Sequence, residues 1–170
     1  MRNNILLFVF FVFLQIFVLN KILFFEHIIL SPIIMFLILY KYQKDSKESL
    51  LLGFFLGLLV DVFNNSLGTY SIICLIVIYF RNSWVLKIIG EEKTEELELM
   101  SIQELGSLKF FYYSFPILFL FYSLLSLLES ESIISLDNII FVILSSVANY
   151  IIMLIFQYLF LKFNFKNEWR

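Results

Sequence analysis

The side chain best placed to do chemistry in this chain is Asp61. It ends a stripe in which Ser49, Gly53, Gly57 and Asp61 recur at every fourth residue of SLLLGFFLGLLVDVFNN. On a helix these four share one face. A carboxyl group among Leu, Phe and Val costs roughly 2.5–3.5 kcal/mol on membrane-insertion scales, so it is expected to face protein or a water-filled cavity. Two chemistries suit such a group. A proton or ion conductor would use it as a carrier, but that calls for a relay of further acids, histidines or lysines, and none accompanies it. A structural acceptor needs only donors, and Asp61 stands three residues before the turn Asn64-Asn65-Ser66, within reach of backbone N–H groups or of an amide on a neighbouring helix. The structural reading makes geometry matter more than charge. It expects Asp61→Asn to keep much of the function and Asp61→Leu to lose it.

Other candidates fail on number or context. The single histidine, His27, lies beside Glu26, whereas a metal site needs three or four ligands. It reads as an exposed loop residue. Cys74 is the only cysteine and sits in an apolar run; it excludes an intramolecular disulfide or a multi-cysteine metal site and reads as a packing residue. The Gly53–Gly57 pair lacks the Lys-Ser/Thr of a phosphate loop. No serine has a base beside it. No catalytic, cofactor-binding or metal-ligating set is expected, and the chain is not expected to be an enzyme. A net charge of −2 leaves no basic footprint for nucleic acid.

What remains is contact chemistry. Gly53-x-x-x-Gly57 lets another helix approach the backbone closely. The stripe therefore reads as a helix-packing surface for a membrane partner or, as the alternative, an internal helix. A second set comprises Gln15 near the N-terminus and Ser145, Asn149 and Gln157, which share one face of a late helix. Amides in hydrocarbon look for hydrogen-bond partners on other helices. This set is expected to pack the bundle internally, with a ligand pocket as the alternative. Pro116 removes one backbone bond from its helix.

Composition dictates the elements that carry these residues. Of 170 residues, 61% are hydrophobic and 22 are Phe, more apolar surface than a soluble domain of this size can bury. Six apolar segments stand out: Asn4–Leu19, Ile28–Tyr42, Leu50–Phe63, Tyr70–Phe80, Leu108–Leu128 and Ile139–Phe163. The first resembles a signal sequence but lacks a small-residue cleavage site, and is expected to be a retained helix. The expectation is an all-α integral membrane protein, a single membrane domain over 1–170 with six transmembrane helices. A re-entrant hairpin over 50–80 is the alternative for its middle. With alternating segments, Arg2, Lys41, Lys44, Lys47, Arg81, Lys87, Lys93, Lys109, Lys162, Lys166 and Arg170 fall on one side and only Lys21 on the other. The positive-inside rule then puts both termini in the cytoplasm. Residues 81–107 form the polar connector. Trp84, Val85, Ile88 and Ile89 suggest an interfacial helix at its start, with a continuation of the fourth segment towards Trp84 and Val85 as the alternative, and the acidic stretch EEKTEELELMSIQELG suggests a solvated link or a docking helix for a cytoplasmic partner.

The pattern Gly53, Phe54, Gly57, Leu58, Asp61, Phe63, Asn65, Gly68 resembles the rod shape-determining family MreD. The run Leu14–Ile22 and Pro32 are similar to Bacteroidetes-type members, and Phe110–Tyr113 and Gln157–Phe160 resemble the family more loosely. Leu67 stands where the family often has a proline. The resemblance implies a non-enzymatic scaffold of the bacterial inner membrane. Such a protein would bind an MreC-like membrane-anchored partner and, through it, MreB filaments, RodA and a class B penicillin-binding protein. It also implies a fold similar to the substrate-binding subunits of energy-coupling-factor transporters. That similarity supplies the alternative function, a vitamin-type binding subunit of a membrane transporter, which would need a roomy, polar-lined outer cavity.

Overall fold

The computed structural model describes residues 28–42, 46–66, 68–97, 99–129 and 135–160. The segment Asn4–Leu19, with Gln15, and the pair Glu26 and His27 lie outside them. Among the described residues seven helices follow in order: α1 (Pro32–Leu39), α2 (Ser46–Asn64), α3 (Thr69–Ile89), α4 (Glu91–Glu96), α5 (Ile102–Leu105), α6 (Ser107–Glu129) and α7 (Leu136–Phe160). Among the described residues there is no β-strand, and the chain is an all-α membrane protein. Helices α3, α6 and α7 are long and apolar enough to cross a bilayer. Helix α2 is about 28 Å long at ~1.5 Å per residue, but it carries Lys47, Glu48 and Asp61.

Helices α2 and α3 pair as a tight hairpin, α3 packs on α6, and α6 on α7. Each long helix buries one stripe and leaves another bare. On α3 the buried stripe is Tyr70, Ile73, Cys74, Val77, Ile78, Arg81 and Val85, while Ile72, Ile76 and Tyr79 stay exposed. Bare apolar faces of this kind suit lipid as solvent.

The second apolar segment departs from the expected span. Only its eight residues Pro32–Leu39 are helical, and all eight are buried, against α3, α6 and α7. Ser31 before the helix and Tyr40 after it are extended. A helix apolar all round belongs in an interior, and Pro32 at its first position fits the helix start.

The polar connector also differs from expectation. Helix α3 continues past Phe80 to Ile89, so Trp84, Val85, Ile88 and Ile89 extend a long helix rather than form a separate interfacial one. Arg81 is buried within it. The acidic stretch is not simply solvated. Thr94, Met100, Ser101 and Leu105 are buried, and the Met100 N–H donates to the Leu39 carbonyl at 3.1 Å. Pro116, inside α6, leaves the Tyr112 carbonyl without its helical donor. The Trp84 indole N–H takes that place at 3.1 Å.

Candidate functional site

The stripe on α2 is occupied along its length by α3. At its start, the Asn82 amide donates to Ser49 Oγ at 3.1 Å. A Cβ at Gly53 would meet the end of the Ile78 side chain. A Cβ at Gly57 would lie 2.5 Å from Ser71 Cα and 2.6 Å from both Ser71 N and Tyr70 O. Backbone meets backbone there, and only glycine fits. This corrects the reading of the stripe as a surface for a membrane partner: the small-residue face is spent inside the chain, on the internal helix that was the alternative.

Asp61 completes the hairpin as a clasp. Its Oδ1 accepts from Ser66 Oγ at 2.6 Å and from the Tyr70 N–H at 2.9 Å. Its Oδ2 accepts from the Ser71 N–H at 2.9 Å and from Ser71 Oγ at 2.6 Å. Tyr70 and Ser71 open α3, so the carboxylate of one helix caps the next and sits at its positive end. The residue at the N-cap position itself, Gly68, has no side chain to do this. It takes φ 83°, and Asn65 takes φ 54°; both are left-handed, a conformation glycine adopts freely and asparagine tolerates. With four donors converging on it, Asp61 is 5% exposed. Phe54, Leu58, Val62 and Ile72 line an open groove of about 350 Å³ beside it.

The late polar face serves the broken second segment. Ser145 Oγ accepts from the Ile29 N–H at 3.2 Å. Asn149 Oδ1 accepts from the Ser31 N–H at 2.9 Å, and its Nδ2 donates to the Ile29 carbonyl at 2.8 Å. Asn149 thus pairs with extended chain as a neighbouring strand would. Lower on the same face, Gln157 Oε1 accepts from the Ile102 N–H at 2.8 Å at the start of α5. Ser145, Asn149 and Gln157 are all fully buried. The described ones of these polar residues work inside the bundle, on backbone that α1 and α5 leave unpaired.

Sequence reasoning placed Arg81 at a water-facing end, yet it is 1% exposed. Its Nε donates to the Tyr113 hydroxyl at 2.9 Å and a terminal nitrogen to the Tyr40 carbonyl. Tyr113 in turn donates to the Ile38 carbonyl at 2.8 Å. A guanidinium and a phenol therefore cap the C-terminal carbonyls of α1, where a cation also meets the negative end of the helix dipole. The sequence signal was slight: an arginine one turn before Val85 and two before Ile88.

Asn149→Leu tests this arrangement. It keeps volume but strands the Ser31 N–H and the Ile29 carbonyl, at ~1–3 kcal/mol for each buried orphan. A clear fall in the thermal midpoint in mild detergent is expected, larger than for Gln157→Leu, which strands only the half-buried Ile102 N–H. Equal midpoints for Asn149→Leu and wild type would show that the extended segment does not depend on α7.

The fold and these sites define a class: an all-α membrane protein whose buried polar groups cap and pair its own backbone. No family model, no curated protein and no solved structure matches the chain.

Proposed function

We propose that this chain is a non-enzymatic scaffold of the MreD type in a bacterial inner membrane. In this reading it binds an MreC-like anchored protein and helps couple MreB filaments to the synthase formed by RodA and a class B penicillin-binding protein. The observation that carries the reading is the hairpin. The residues of the one specific motif, Gly57, Asp61 and Gly68, are those that close the helices, cap α3 and turn the chain. A motif spent on shape suits a protein that works by holding others. The alternative, a vitamin-type binding subunit, would call on polar side chains that Ser145, Asn149 and Gln157 already commit to backbone.

The topology that goes with this reading is six crossings with both termini in the cytoplasm. Setting the buried Arg81 aside leaves ten basic residues on the inner side against Lys21 on the outer. In a Cys74→Ser background, a cysteine at Ser130 should react with a membrane-impermeant thiol reagent in intact cells and one at Lys44 should not. Labelling in the reverse sense would overturn the topology.

The function is tested by affinity purification from gentle detergent, with co-purifying proteins identified, and by depletion of the protein. Recovery of an MreC-like protein together with rounding of depleted cells is the expected result. Recovery of transporter ATPase subunits with unchanged cell shape would replace the scaffold with the transporter reading.

A further inference from the structure

The polar connector is bounded by two glycines that share an unusual conformation. Gly90 has φ 90° and ψ 152°, and Gly106 has φ 77° and ψ 159°. Gly68, with ψ 10°, is an ordinary left-handed residue by comparison. The region taken by Gly90 and Gly106 is essentially closed to other residues. A Cβ at either position would meet nothing within 4 Å. Glycine is therefore required there by the direction of the chain and not by space. Between the two, α4 and α5 turn one face in and one out. Thr94, Met100, Ser101 and Leu105 are buried, while Glu91, Glu92, Glu95, Glu96 and Glu104 are exposed. Each short helix is closed off within the connector. The Thr94 N–H and hydroxyl donate to the Gly90 carbonyl, and Ser101 Oγ accepts from the Glu104 N–H at 3.4 Å.

We propose that α4 and α5 form a hinged strap that swings about Gly90 and Gly106 and closes over the end of α1 when docked. The inference goes beyond the scaffold role and does not depend on it. Hinges are a few residues at the ends of elements that absorb a large change in φ and ψ, and here they stand immediately before α4 and immediately after α5. The docked strap is tied to the bundle through its backbone. The Met100 N–H donates to the Leu39 carbonyl at 3.1 Å, and the Ile102 N–H to Gln157 Oε1 at 2.8 Å. Opening breaks these bonds, bares Met100 and Leu105, and lets both glycines leave the conformation that only glycine tolerates. The strap also touches the buried part of the fold. Three successive carbonyls at the end of α1 are taken by Tyr113 (Ile38), Met100 (Leu39) and Arg81 (Tyr40). The first and third donors belong to long helices, the second to the strap. Its position is therefore felt at α1 while α3 and α6 stay folded.

The test is hydrogen–deuterium exchange of the full chain in mild detergent, with thermal melts alongside. In wild type the Met100 and Ile102 amides are expected to exchange together, and faster than the core amides of α3 and α6, through an opening smaller than global unfolding. Gly90→Ala and Gly106→Ala strain only the docked position. Each is expected to speed exchange at both Met100 and Ile102 by roughly tenfold, with the melting midpoint within about 2 °C of wild type. Gln157→Leu, which leaves both hinges intact, should speed the same two amides. Gly90 stands ten residues before Met100, so its effect there reports motion of the strap as one piece. Three results would overturn the strap. One is wild-type Met100 and Ile102 exchanging no faster than the core amides. Another is Gly90→Ala loosening α4 while Met100 and Ile102 keep their wild-type rates. The third is a fall in the melting midpoint that accounts for all of the added exchange.

Discussion

Gly57→Ala is expected to lower the thermal midpoint by more than about 6 °C, while the same change at Gly53 is nearly silent. In a helix exposed to no clash, alanine gains ~1 kcal/mol over glycine, so any loss must come from packing. At Gly57 the new methyl meets Ser71 Cα, Ser71 N and Tyr70 O at 2.5–2.6 Å. These are backbone atoms of the first turn of α3, and that turn is fixed by the Asp61 clasp. Neither side can yield without parting the helices, which puts the cost at or above the upper end of overpacking, ~3 kcal/mol. At Gly53 the first obstacle is Ile78 Cδ1, the far end of a side chain that can rotate away. Fluorescence-detected melts in mild detergent separate the two. A Gly57→Ala protein that melts with wild type would mean that α2 and α3 do not approach so closely.

The second large effect belongs to Asp61. Leucine removes the acceptor for two backbone N–H groups and two hydroxyls at once. Two orphaned backbone donors alone cost ~2–6 kcal/mol. Asparagine is intermediate. Its one carbonyl oxygen serves one side of the clasp, and its NH₂ faces an N–H on the other. The serine hydroxyls can rotate to accept, but either the Tyr70 or the Ser71 N–H is stranded, and a further ~0.3–1 kcal/mol of charge–dipole attraction is lost. Stability should fall in the order Asp, Asn, Leu. This narrows the expectation from sequence that Asp61→Asn keeps much of the function, since the donors number four and two of them cannot turn. Complementation of a depletion strain, with protein levels and melts measured together, decides the matter. Asp61→Asn protein that melts like wild type yet fails to restore function would reveal a role for the charge itself.

Asp61 was legible because everything it needs is local. The four-residue spacing set its face, and the turn residues Asn65 and Gly68 followed within one hairpin. The broken second segment was not legible for the opposite reason. Ile28–Tyr42 reads as one apolar segment despite Ser31, Pro32 and Lys41, and the groups that let its backbone leave the helix, Ser145 and Asn149, lie 116 and 118 residues from their partners Ile29 and Ser31. Arg81 failed in the same way. A charge counted along the chain looks exposed, and the Tyr113 hydroxyl and the Tyr40 carbonyl that help make its burial tolerable are both remote in sequence. The polar face of α7 was visible as a periodicity, but periodicity does not say whether an amide meets a ligand, a partner helix or a length of extended backbone.

The short helix α1 also constrains how the molecule is made. Its eight residues measure about 12 Å, too little to enter a bilayer as an independent span. The groups that quieten its ends arrive late in synthesis: Arg81 on α3, Tyr113 on α6, Asn149 on α7. A nascent chain that has delivered residues 28–42 therefore carries backbone that hydrocarbon will not accept until nearly the whole sequence has left the ribosome. In the proposed six-crossing topology, integration of this segment is expected to wait for α7. A chain stopped before Leu136 should remain bound to insertion machinery or be degraded, although most of its apolar length is already present.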